Sequence, residues 1–244
     1  PATTSGSSLR THARKVLLSI MNAAIVSYMR GTRYTPEVDF RRPVEAVIPG
    51  VQGRILAVLA ETTAQLNLRT VSRLAGVSPA QASRVLPELV RLGLVERQEA
   101  PPSALFSLVE DNIASRAVRA LSRARDAVLE ELGAVAGALD PVPASVIVFG
   151  SFARGEADES SDLDVVFVRP PDVGEEDDRW AAAVEGWRTA VRRLTGNRVQ
   201  ILEIDHSDIS RRLRSTKPLW ADVVRDGITV YGAPIEDLRG RRGA

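Results

Sequence analysis

The chain has 244 residues, 44% of them hydrophobic, with 17 glycines and 14 prolines, a composition that is neither disordered nor collagen-like and can fill one sizeable core or two modest ones. It has no cysteine and only two histidines, His12 and His206, which excludes disulfides, thiolate metal sites, thiol nucleophiles and a histidine-based metal centre. The formal net charge is +1. No apolar run is long enough to span a bilayer, and the opening PATTSGSSLRTHARK lacks a secretory pattern; no membrane association and a cytoplasmic location are expected. Residues 1–140 hold 17 basic and 13 acidic side chains, the remainder 15 and 18. That split suggests a basic module joined to an acidic, metal-binding one.

Residues 1–8 read as loose. Over 9–29, Ala13, Val16, Leu17, Ile20, Ala24 and Tyr28 recur at helical spacing, and the resulting stripe packs either on its own chain or on a second copy. Residues 30–49 carry three prolines and read as a connector, so 1–49 form an N-terminal helix and connector and a candidate dimerisation segment. Residues 51–60 form a helix bearing Ile55, Leu56 and Leu59. Thr70 is placed to cap a short helix through Ala75, and Gly76 supplies a turn. Ser78 is a good N-cap with Pro79 at the first helical position. The helix that follows runs to about Leu92, where Gly93 stops it; Pro87 lies within it, where a proline kinks a helix. Val95 to Arg97 and Leu105 to Leu108 read as two short strands around a loop at 99–103.

Helix, helix, tight turn, helix and two-stranded wing make a winged helix-turn-helix over 50–109. In LNLRTVSRLAGVSPAQASRVLPELVRLGLV this segment resembles the winged helix-turn-helix regulators of bacteria and archaea. The resemblance implies double-stranded DNA as partner. With Ala82, Leu86 and Leu89 inward, Pro79, Ala80, Gln81, Ser83 and Arg84 form the groove-facing set, next to the cap residue Ser78. Gln81 matches adenine and Arg84 guanine or a phosphate, while Arg73 and Arg97 serve as backbone contacts. A protein-binding or dimerising module is the alternative. A palindromic operator would require a homodimer.

Residues 110–140 read as one long linker helix, with Ile113, Ala117, Leu121, Ala124, Val128, Leu132 and Val135 on one stripe. Pro141 and Pro143 end it. From Ser145 the pattern changes to a β-branched strand, SVIVF, running into GSFARGEADESSDLDVVFV. Gly150 and Ser151 sit where the strand turns into a helix, an arrangement suited to phosphate oxygens. Asp162 and Asp164 are two apart on the next strand, so both face one side. Adjacent carboxylates repel unless a cation lies between them, and Mg²⁺ (or Mn²⁺) held for nucleotide chemistry accounts for both features.

Gly150, Ser151, Gly155, Ser161, Asp162 and Asp164 match the pattern of the nucleotidyltransferase superfamily, and residues 141–232 resemble its minimal, antitoxin-type members. The resemblance implies a short mixed sheet flanked by helices. It also implies transfer of a nucleoside monophosphate from an NTP to a hydroxyl, with two metals on the Asp pair and on a third carboxylate from a later strand. After a helix over about 175–194, whose acidic start at 175–178 suits a helix N-terminus, the strand RVQILEID places Gln200 where that third carboxylate is expected. Glu203 is the candidate replacement, although a regular strand turns it to the opposite face; Asp205 shares Glu203's face. Arg154 is a candidate phosphate contact. Arg192, Arg193 and Arg198, and separately Arg211, Arg212, Arg214 and Lys217, form basic clusters that either engage a nucleotide or RNA or are simply solvated. His206 reads as a cap, and Trp180, Trp187 and Trp220 as packing residues. Residues 233–244 form a C-terminal tail.

The expected architecture is α+β: an N-terminal helical and winged helix-turn-helix module, a linker helix and a C-terminal nucleotidyltransferase domain. Three functions remain open. The chain is a DNA-binding transcriptional regulator with an NTP/Mg²⁺-binding domain, or an active transferase with a toxin protein or an RNA end as acceptor, or a structural protein with both modules degenerate.

Overall fold

The computed structural model describes residues 39–158 and 160–240; the helix expected over 9–29 lies outside them. Within the described residues the architecture is α+β. The N-terminal module opens with α1 (Pro43–Val47), inside the expected connector, and α2 (Val51–Ala60). A two-residue strand β1 (Leu66–Asn67) leads into α3 (Leu68–Leu74). The side chain of Asn67, not Thr70, caps α3 by accepting from the Thr70 backbone N–H at 2.9 Å, so this helix starts earlier than expected. Next come α4 (Pro79–Arg91), β2 (Val95–Ala100) and β3 (Ser103–Leu108). The strands lie in the order β1-β3-β2, all antiparallel. Ile55, Leu56, Leu59, Val71, Leu86 and Leu89 fill the core beneath them, each such side chain contributing about 1.5–3 kcal/mol on burial. The helix α4 runs through Pro87 to Arg91.

Residues 110–140 are two helices rather than one: α5 (Ile113–Ser122) and α6 (Ala124–Gly137), separated at Arg123. They belong to different cores. Val118 of α5 is buried with the helix-turn-helix residues, whereas Val128, Leu132 and Ala136 of α6 are buried with the second module. Buried Ser115 donates to the Leu94 carbonyl at 3.0 Å, and Asn112 donates to the Gly93 carbonyl at 2.9 Å, which fixes α5 against the end of α4.

The second module contains β4 (Ser145–Phe149), α7 (Gly150–Arg154), β5 (Leu163–Arg169), α8 (Asp178–Thr195) and β6 (Val199–Asp205). It continues with α9 (His206–Leu213), α10 (Pro218–Asp226), β7 (Ile228–Gly232) and α11 (Ile235–Arg239). The sheet order is β6-β5-β4-β7, with β5 and β6 parallel and the other pairs antiparallel. This is a short mixed sheet with helices on both faces. Val146, Val148, Val165 and Phe167 point to the α6/α8 side, and Ile147, Val166 and Val168 to the side of α9, α10 and α11, the period-two alternation of a sheet buried on both faces. Phe167 meets Trp187 edge-on, ring centroids 4.8 Å apart, and Trp180 at 6.2 Å. Gly133 lets β7 run close across α6: a Cβ there would lie 2.1 Å from the Val230 carbonyl oxygen. Residues 235–239, expected as tail, form α11, which buries Ile235 and Leu238 in the second face.

Candidate functional site

The strand β4 leaves Phe149 in extended conformation and turns at Gly150, whose φ of 73° lies in the left-handed region that an L side chain enters only at a cost of roughly 1–2 kcal/mol. Space makes the same demand. A Cβ on Gly150 would stand 2.6 Å from Oδ2 of Asp164, because Phe149 and Asp164 are paired across β4 and β5. Glycine at this turn therefore opens room for a carboxylate. Asp164 lies on the β5 face that carries Val166 and Val168, at the end where the strand begins. Burial raises its pKa above the ordinary carboxyl value, the neighbouring Asp162 charge adds to the rise, and Arg154 opposes it. No hydrogen-bond donor among the described residues is aimed at the Asp164 carboxylate, and a partly buried carboxyl left beside a second one favours a cation as counter-charge.

Other residues at the turn divide into those that face the pair and those that build its surroundings. Arg154 donates from Nε to Glu156 at 2.7 Å and from Nη1 to Asp226 at 3.2 Å, so its guanidinium is held by two carboxylates of its own. The Ser161 hydroxyl is spent inside its loop: it accepts from the Asp158 backbone N–H at 3.0 Å and donates to Asp158 Oδ1 at 2.9 Å. Hydrogen bonds from Ser160 and Ser161 hold the Asp158 carboxyl below its ordinary value. Asn197, 2% exposed, ties down the same loop by donating to the Ser161 carbonyl at 2.9 Å. Gly155 ends α7 in left-handed conformation. Arg125 from α6 donates to the carbonyls of Phe152 and Ala153, with 2.9 Å from Nε to Phe152. Neither Asn197 nor Arg125 carries a local sequence signal, since each acts on a loop or helix end that is distant in the chain.

Among the described residues no third carboxylate is brought to the pair. In the parallel register of β5 and β6, Gln200 stands opposite Asp164, and its Nε2 donates to Asp162 Oδ2 at 2.5 Å. Glu203 is opposite Phe167, on the other face and about 10 Å along the strand from Gln200 at roughly 3.3 Å per residue; its carboxylate accepts from Trp180 Nε1 at 2.7 Å. Asp205 caps α9 by accepting from the Ser207 backbone N–H at 2.9 Å and pairs with Arg169 at 3.1 Å. These hydrogen bonds and the Arg169 charge hold its carboxyl below the ordinary value. Among the described residues no group of three acidic or histidine side chains is placed to hold a metal. Asp162 and Asp164 are the two carboxylates at this turn that would hold a cation. Among the described residues they lack the third carboxylate of the two-cation arrangement that the resemblance implies.

The helix-turn-helix presents a second surface. Pro79, Ala80, Gln81, Ser83 and Arg84 are exposed along α4, while Ala82, Leu86 and Leu89 are buried. Ser78 and Gln81 form a reciprocal cap: Ser78 Oγ accepts from the Gln81 N–H at 3.1 Å and Gln81 Oε1 accepts from the Ser78 N–H at 2.9 Å. With its oxygen engaged, Gln81 offers only amide donors outward, so it lacks the acceptor half of a bidentate adenine contact. Arg84 lies along α4, its Nε donating to the Ala80 carbonyl at 3.3 Å. Arg97 pairs with Glu99 on the wing at 2.8 Å, and Arg73 is exposed on α3 beside Arg69, which the sequence reading passed over. A cavity of about 520 Å³ lies between α4 and the wing, bordered by Ser83, Pro87, Val90, Arg97 and Phe106.

The nucleotidyltransferase domain family matches residues 127–224 and the IclR helix-turn-helix domain family residues 53–99. The first match begins within α6, in keeping with that helix's place in the second core. No curated protein matches the chain. Solved structures similar to parts of it include RV1404 from Mycobacterium tuberculosis, 19% identical over 50% of this chain and 73% of that chain, with a TM-score of 0.27. A toxin-antitoxin crystallised with AMP-PNP is 15% identical over 47% of this chain and 76% of that one, TM-score 0.29. A MarR-family transcriptional regulator from Rhodococcus sp. RHA1 is 23% identical over 51% and 79%, TM-score 0.28. Among the described residues no helix is long and apolar enough to cross a membrane. With two domain families matched side by side on one polypeptide, the chain is a fusion of an IclR-type helix-turn-helix domain with a nucleotidyltransferase domain.

Proposed function

We propose that the chain is a DNA-binding transcriptional regulator whose nucleotidyltransferase domain binds a nucleoside triphosphate together with one Mg²⁺ as a ligand. The observation that carries this reading is the Asp162–Asp164 pair at the Gly150 turn, joined in one chain to a capped helix whose outer face is exposed. The carboxylates hold the cation, and Gly150 and Ser151 lie where the triphosphate enters. A bound Mg²⁺ neutralises phosphate charge and orients the triphosphate. The chain itself supplies the shape: Gly150 leaves space for Asp164, Asn197 and Asp158 fix the loop before Asp162, and Arg125 anchors α7. On DNA, Arg84 and the Gln81 amide meet base edges or phosphates, and Arg73 and Arg97 meet the backbone. Two copies engage a two-fold operator.

The test uses the full-length chain. Duplexes selected from a random pool are titrated by fluorescence anisotropy over a range of salt. Specific binding is expected, with Arg84→Ala weakening it by about 1–3 kcal/mol and Arg73→Ala lowering the salt slope by about one. Equilibrium dialysis with each labelled NTP should show Mg²⁺-dependent retention. Failure to enrich any duplex refutes the DNA-binding half, and absence of retention of all four NTPs refutes the other. The Asp-x-Asp pair also favours a second reading, an active transferase acting on a toxin protein or RNA hydroxyl, for which label transfer from an NTP is the signature.

A further inference from the structure

We infer that Gln200 makes this a one-cation site, which binds a nucleoside triphosphate and leaves it intact; the inference rests on the nucleotide-binding reading above. Gln200 occupies the β6 position directly opposite Asp164, where a third carboxylate would have to stand to share a second cation with the pair. Its side chain carries no negative charge to offer a cation. An ionised carboxylate only accepts hydrogen bonds, so the amide turns its NH₂ toward Asp162, as the Nε2–Oδ2 contact shows. A donor group with partial positive charge thus stands beside the pair.

Rotating the amide to present its oxygen would give up that contact and supply only a neutral oxygen, without the negative charge a carboxylate brings. An amide also has no capacity to take a proton from an acceptor hydroxyl near neutral pH. No neighbour among the described residues makes good the deficit. Glu203 faces Trp180 on the far side of the sheet, and Asp205 is engaged by Arg169 and Ser207. The pair can neutralise one divalent cation, and the triphosphate joins that cation with its own oxygens. A second cation, set roughly 3.5–4 Å from the first in two-metal sites, finds no additional charged side chain among the described residues. Gln200 is thus a positioning residue: it orients Asp162 toward the single cation and keeps the acceptor side of the site without a base.

The experiment counts Mn²⁺ bound to the full-length chain, by electron paramagnetic resonance of free Mn²⁺, in the presence of the α,β-non-cleavable analogue of each NTP. One Mn²⁺ per chain is expected for the wild type and for Gln200→Ala, and two for Gln200→Asp. Pyrophosphate release from the natural NTPs should match that of Asp162→Asn/Asp164→Asn. Two Mn²⁺ in the wild type, or pyrophosphate release that the double variant abolishes, would overturn the inference. A count of one in a Gln200→Asp chain with a normal thermal melt would also overturn it, since Gln200 would then not set the number. If that variant does not fold, the wild-type count and the pyrophosphate assay decide. No Mn²⁺ and no analogue bound to the wild type would instead refute the nucleotide-binding reading itself.

Discussion

Replacing Asp162 and Asp164 together by Asn should weaken Mg²⁺-dependent NTP binding by at least about a hundredfold, since changes even beyond the direct ligands of a metal cost 10–100-fold, and should raise the melting temperature of the nucleotide-free chain. The two effects have one origin. Asp164 is partly buried beside Asp162, and its pKa is raised first by burial and then by that neighbour. A carboxyl with a raised folded-state pKa holds its proton more tightly folded than unfolded. Its contribution to stability is therefore intact below the unfolded value and falls as pH climbs from there through the folded value. At neutral pH the full cost is present, and an Asn of the same shape removes it. The gain should vanish below about pH 3, where an ordinary Asp is protonated in both states. A saturating cation should also reverse it, stabilising the wild type and not the variant. A double variant that binds NTP like the wild type would show that the pair is not the cation site.

Trp187→Ala should cost about 3–5 kcal/mol of stability, a large share of the roughly 5–15 kcal/mol that holds a typical domain. Trp187 is fully buried on α8, lies edge-on to Phe167 with centroids 4.8 Å apart, and donates from Nε1 to the Leu132 carbonyl of α6 at 3.2 Å. Its removal opens a cavity where α6, α8 and β5 meet. Urea unfolding followed by circular dichroism measures the loss, and Trp187→Phe, which keeps an aromatic ring but drops the donor, should cost less than Trp187→Ala. A midpoint unchanged by Trp187→Ala would contradict the packing described for this core.

The parts of the fold legible in the sequence are those whose signals are local. The cap at Ser78, the turn at Gly76 and the stop at Gly93 delimit α4, and Ala82, Leu86 and Leu89 mark its buried face; that Gln81 closes the cap back onto Ser78 was not read. The β-branched run at 145–149 and the Asp-x-Asp spacing locate β4 and β5, although β5 begins at Leu163, so that Asp164 lies on the strand and Asp162 just before it. The division of residues 110–140 into two helices was not legible: Leu121, Ala124 and Val128 keep helical spacing across Arg123, so periodicity continues where the backbone breaks and one stripe serves two cores. The helix at 43–47 was hidden by flanking prolines, and α11 by its brevity. At the site, Gln200 in the third position could be read from the strand pattern, and so could the alternation that turns Glu203 away. The partners that hold Glu203, Asp205 and Arg154 could not, because Trp180, Arg169 and Asp226 reach them across 23, 36 and 72 residues of chain.

Regulation requires the two modules to influence each other. Phe40 packs edge-on to Phe152 of α7 at 5.1 Å, and Arg125 holds the end of α7 from the first turn of α6, two residues after the Arg123 break that leads to α5. Phe40, three residues before α1, is thus buried in the second module's core beside the Gly150 turn, and α1 in turn buries Val44 in the helix-turn-helix core. The decisive measurement is the affinity of the full-length chain for its selected duplex, with and without a saturating NTP and Mg²⁺, for the wild type and for Asp162→Asn/Asp164→Asn. The expected result is a shift of about 5–150-fold, the usual range of coupling between sites, in the wild type and none in the double variant. Equal affinities with and without nucleotide in the wild type, under conditions where dialysis shows the nucleotide bound, would contradict a nucleotide-responsive regulator.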